Sequence, residues 1–168
     1  MITSMQLFPE LQAINDTDSV WIYQASRRLS AAEQQELLAS GREFCANWAT
    51  HGKPLDAAVF LIDGLFVIVK VNSALMAASG CSIDKSLQWI RSMEQQFSIS
   101  LLDRMQVAWM DGDGQIHHAG LNEAKNAYAN ASLNANCRVF IHSITSGSDL
   151  KIAWLQPLSQ SWLMRFLN

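Results

Sequence analysis

Two apolar runs, residues 57 to 62 and 66 to 71, meet at Asp63-Gly64, and this feature restricts the fold more than any other. Asp-Gly between apolar strands is a strong hairpin signal, because both residues accept the left-handed backbone that a tight turn between twisted strands requires. Both runs are apolar at nearly every position instead of alternating, with Lys70 the exception, so both faces of the resulting sheet must be covered. A chain of 168 residues is long enough to supply those covers within a single globular domain, 1–168.

The rest of the chain is read around that hairpin. Residues 1 to 18 form a short helical arm using Leu7, Leu11 and Ile14, and Val20-Trp21-Ile22-Tyr23-Gln24 is a strand rich in β-branched and aromatic residues. Ser30 and Glu33 make a capping box before a helix whose apolar set, from Leu37 to Trp48, keeps to one face and places Cys45 in the core. Gly52 and Pro54 end that helix near His51. A second helix after Cys81 carries Ile83, Leu87, Ile90, Met93 and Phe97 on one stripe.

With a strand at 105 to 110, the order becomes β-α-β-β-α-β, which predicts an α+β fold with a mostly antiparallel, ferredoxin-like sheet. Asp111-Gly112-Asp113-Gly114 turns the chain into an edge strand at 115 to 119, followed by weak helix at 123 to 131. Residues 138 to 143 and 151 to 155 read as strands separated by a turn at 146 to 149. The final segment carries Leu158, Trp162, Leu163 and Phe166, a helical stripe suited to covering the second sheet face; otherwise a homodimer must cover it.

Composition removes several function classes. A net charge of −3 with no long Lys/Arg run argues against nucleic-acid binding, and six Trp without a basic stripe point to core and interface use instead of base stacking. Three cysteines, none in a C-x-x-C pair, point to reduced thiols in the cytoplasm. No leader-like or membrane-spanning stretch is present. Metal-binding spacings are missing too: C-x-x-C, H-x-x-x-H and H-E-x-x-H do not occur, His117 and His118 point to opposite faces of a strand, and no cofactor is implied.

The stretch with most local chemistry is Ser79-Gly80-Cys81-Ser82-Ile83-Asp84. Gly80 lets the backbone turn, and Ser82 or Asp84 caps the following helix, leaving Cys81 among free amide N–H groups at the positive end of the helix dipole. A thiolate or a small bound anion is stabilised there, with His51 as a base and Arg27 and Arg28 as cations if the fold brings them close. Against this stand the plain alternatives: Cys81 as a buried hydrophobe, and His51 as a helix C-terminal group.

With Trp21 to Gln24, Trp48 to Gly52, Ser79 to Asp84, and Pro157-Leu158 before Ser161-Trp162 all in view, the chain resembles a family of uncharacterised bacterial proteins. Its members often carry the label "ABC transporter ATPase". The resemblance covers most of the chain, is most specific in the Ser79 to Asp84 block, and implies a small cytoplasmic protein without carrying over any catalytic residue. The label meets a physical obstacle. A phosphate-cradling loop needs G-x-x-x-x-G-K-[ST], whereas here Ile83 and Asp84 precede Lys85-Ser86, so the second glycine is missing and a carboxylate faces the would-be phosphate.

Overall fold

The computed structural model describes residues 3 to 167, so the first two residues of the expected N-terminal arm lie outside it. In chain order it contains α1 (Ser4–Leu7), a 3-10 turn over Pro9–Ala13, β1 (Ser19–Gln24), α2 (Ala31–Asn47), β2 (Ala49–Thr50), β3 (Lys53–Pro54), β4 (Ala57–Ile62) and β5 (Phe66–Val71). Then follow α3 (Gly80–Phe97), β6 (Gln106–Met110), β7 (Ile116–Gly120), α4 (Leu121–Ala129), β8 (Arg138–Phe140), α5 (Gly147–Ala153), β9 (Leu155–Pro157), a 3-10 turn over Leu158–Gln160 and α6 (Met164–Leu167). The fold is α+β, with every sheet pairing antiparallel.

The central hairpin forms as its residues dictate. Asp63 and Gly64 take φ of 56° and 61°, and Leu65 donates its N–H to the Ile62 carbonyl at 3.0 Å, closing a turn with both central residues left-handed. β1 joins the other side of β5, giving the order β1-β5-β4, and β5 is buried at all six positions. Trp21, Val69 and Val59 lie in register across this sheet, on the face that takes the helices. Gly41 of α2 packs directly on Val59, where a Cβ would meet the valine at 2.9 Å. The Phe44 ring of α2 stacks on Trp89 of α3, with ring centroids 5.3 Å apart and planes 10° from parallel.

Strand β1, helix α2 and the β4–β5 hairpin thus make a three-stranded sheet, and the strand expected to complete a ferredoxin-like sheet does not join it. β6 enters a separate four-stranded sheet of order β7-β6-β8-β9. The start of the free β1 edge is taken instead by Thr145 and Ser146, with the Val20 N–H donating to the Thr145 carbonyl at 3.0 Å. At its far end the Gln24 side chain, not a backbone ladder, reaches β6 by donating to the Val107 carbonyl at 3.1 Å.

The second face of the first sheet is covered, though not by the tail. Phe66 lies 4.5 Å from the Phe140 ring and 5.1 Å from Trp154, and Phe8 of the N-terminal arm lies 5.3 Å from Trp154. The tail packs on the second sheet, where the Leu158 N–H donates to the Cys137 carbonyl and Leu163 is buried. A homodimer is therefore not needed to cover this face. The exceptional Lys70 is buried against Asp18, with N···O at 3.3 Å.

Three local expectations are corrected. His51 and Gly52, at φ of 49° and 75°, form the turn between β2 and β3, while α2 has already ended at Asn47. Residues 146 to 153 are a capped helix instead of a turn and strand, because the Ser146 hydroxyl accepts the Asp149 N–H; the strand begins only at Leu155. Cys45 is half-buried, and α2 buries only Leu37 and Gly41, since β4 is the outer strand and shields that helix on one side only. Among the described residues no helix is long and apolar enough to cross a membrane.

Candidate functional site

The Ser79 to Asp84 stretch begins α3, but its cap is Ser79. Its hydroxyl accepts the Ser82 N–H at 3.3 Å, Gly80 is the first helical residue with an ordinary backbone, and the Ser82 hydroxyl donates back to the Ser79 carbonyl. Ser82 is consequently buried, and the Trp48 indole N–H fixes this end of the helix by donating to the Ser82 carbonyl at 2.8 Å. Cys81 and Asp84 lie on the exposed side. His51 sits in the exposed β2–β3 turn, and among the described residues no hydrogen bond joins it to Cys81.

The two arginines are at the other end of α3. Arg27 donates to both Glu33 oxygens at 2.9 Å and to the carbonyl of Phe97, the last residue of the helix, at 2.7 Å. At 1.5 Å rise per residue this puts its guanidinium about 25 Å along the axis from Cys81. Arg28 is bound to Asp63 at 2.6 Å and to the Ile116 carbonyl at 2.7 Å. The Arg27 guanidinium and the Ser30 N–H hold the Glu33 carboxyl down to about 2, so both arginines are committed to structural carboxylates. Arg27 and Arg28, envisaged from the sequence as cations for Cys81, are therefore held at the opposite end of α3 from it.

What the fold does assemble is a groove of about 630 Å³ along the free edge of β1. Ile83 and Leu87 of α3 form one wall, the segment from Leu101 to Gln106 another, and Trp162 and the residues around His142 close it. Ile83 and Leu87 belong to the apolar stripe expected for α3; Ile90, Met93 and Phe97 take its buried positions, leaving these two half-exposed to line the groove.

The floor is a strand edge with backbone groups to spare. Ala25 donates its N–H to the Leu65 carbonyl on the β5 side, so residues 19, 21 and 23 also face β5, while Val20, Ile22 and Gln24 direct N–H and C=O into the groove. Val20 spends its N–H on Thr145. Ile22, between the two points where the chain returns to β1, finds no backbone partner on this side among the described residues. Such groups call for a hydrogen-bonding partner when water is displaced.

Polar side chains are few and placed at intervals. Burial pushes the Tyr23 phenol up to about 12, so it stays protonated as a donor. Gln24 bridges Val107 and His142, accepting from His142 at 2.8 Å, and burial pushes the imidazole down to about 4, keeping it neutral. Arg104 is exposed at the rim without a hydrogen-bond or ion-pair partner among the described residues; neighbouring Asp103 is held below its ordinary value by Gln106 and the Met105 N–H and stays anionic. The arrangement can hold an apolar body, pair with an amide and meet one anionic group.

Sequence reasoning passed over Asp103, Arg104 and His142. No motif marks them, and the partner of His142 is 118 positions away. Among the described residues no cluster of His, Cys, Asp or Glu able to hold a metal ion is present. No protein-family model, curated protein or solved structure matches the chain.

Proposed function

We propose that this chain is a non-catalytic binding protein whose site is the β1 groove, and that it takes a small molecule with an apolar body, a peptide-like amide and an anionic end. The observation that carries the reading is the unpaired backbone of Ile22 within a mainly apolar groove of about 630 Å³, a size within the range of small-molecule sites. The chain's own return to β1 at Thr145 and at Val107 leaves a short window, which suits a small molecule better than a passing peptide strand. Arg104 supplies the cation that was sought at Arg27 and Arg28. The reading includes a reducing, cytoplasmic setting, supported by three unpaired cysteines, and self-association, supported by the bare outer edge of β4.

N-octanoylglycine combines the three features, and decanoate lacks only the amide. Trp21 and Trp162 line the groove, so titration followed by tryptophan emission reports occupancy. N-octanoylglycine is expected to bind saturably and more tightly than decanoate. Arg104→Gln weakens both by about tenfold, the contribution of one hydrogen bond to a charged group. Leu87→Glu, at a half-exposed wall position, abolishes both. Unsaturable binding, or binding indifferent to Leu87→Glu, overturns the proposal.

A further inference from the structure

The edges of the two main sheets are treated differently. At β1 the chain itself occupies both ends. On β7 the Arg28 guanidinium takes the Ile116 carbonyl, and β9 is only three residues long and ends in Pro157. β4 has no such protection. Its six residues, Ala-Ala-Val-Phe-Leu-Ile, contain no charge, no proline and no bulge, and Ala57 to Leu61 are all partly exposed.

The pairing of β4 shows which backbone groups are left over. Asn72 donates its N–H to the Asp56 carbonyl, so even-numbered positions bond to β5, and Ala57, Val59 and Leu61 turn N–H and C=O outward. No partner takes them among the described residues. An unprotected apolar edge of this length is a template for another strand.

We propose that β4 is the dimer interface of this chain, pairing antiparallel with β4 of a second copy to make one six-stranded sheet, β1-β5-β4 continued by its two-fold mate. This rests on the self-associating part of the reading above and not on the ligand groove. A second copy is the favoured occupant because an antiparallel edge is complementary to itself under a two-fold axis, each outward N–H meeting a carbonyl. Charge agrees: β4 sets no like charges against each other, and the cleft beside it carries one cation and one anion, Arg42 and Asp56, which a two-fold arrangement can match with their opposites.

The test is mass by light scattering at tens of micromolar, with twice 18.7 kDa expected. Ala57→Pro removes an outward N–H at the first strand position, and Ala58→Lys places a charge on a partly exposed site beside the edge. Both are expected to give monomers with unchanged circular dichroism and unchanged binding of N-octanoylglycine. Hydrogen exchange in the unsubstituted protein gives a second reading, with amides of Ala57, Val59 and Leu61 protected when concentrated and exchanging at least tenfold faster on dilution. A monomeric natural chain overturns self-association altogether. A dimer that survives both substitutions, or edge amides indifferent to concentration, overturns the β4 interface while leaving self-association standing.

Discussion

His142 and Gln24 show how one residue acquires a role from its surroundings. The Gln24 side-chain carbonyl can only accept, so His142 carries its proton on Nε2, and Nδ1 remains as an enclosed lone pair without a hydrogen-bond partner. An imidazolium would add an N–H at Nδ1 with no acceptor to meet it, and burial lowers the histidine to about 4. A folded value below the unfolded one of about 6.5 means stability fully present above pH 6.5 and lost as pH falls toward 4. Between pH 7 and pH 4.5 this site is expected to cost on the order of 2 kcal/mol, read from urea unfolding. His142→Gln removes the titration and flattens that part of the profile. Parallel profiles for the two proteins refute the assignment. Nothing local to His142 announces this behaviour, because its cause is packing against a strand from the opposite end of the chain.

Among the elements, two glycines distinguish what was legible from what was not. Gly80 stands out in the sequence, yet it begins α3 with ordinary φ, and a Cβ there would touch nothing within 4 Å. Gly147 looks like an ordinary turn residue, but it opens α5 against the backbone of Asn15, where a Cβ would collide with the carbonyl. Its N–H also donates to Asp18, tying α5 to the segment leading into β1. Gly80→Ala is expected to leave stability within about 0.5 kcal/mol. Gly147→Ala should cost about 2–3 kcal/mol and speed exchange of the Val20 amide, which depends on neighbouring Thr145. Equal effects in the two variants would contradict this account. The Ser30–Glu33 capping box was readable because both partners are three residues apart; the clash at Gly147 was not, because the other backbone comes from the N-terminal arm.

For the whole molecule, the placement of α3 bears on the nucleotide-hydrolysing label. Gly80 to Ser82 are wound into a helix capped by Ser79, and Lys85 is exposed on its second turn, so the backbone there does not form a phosphate-cradling loop. No ATP turnover is expected from purified protein; turnover abolished by Lys85→Ala would refute this. The sequence alone determined the α+β class, the central hairpin, the demand for cover on both its faces, and the start of α2, because periodicity, turn chemistry and caps act over a few residues. Tertiary structure decided which strands share a sheet, what covers Phe66, and where a groove opens. Strand β9 has three residues and α5 has seven, too few for period to identify them without their neighbours. Burial is written into local pattern, but the identity of the covering partner depends on which distant surfaces fit once the chain has closed, and the open edge of β1 exists only because β6 pairs elsewhere.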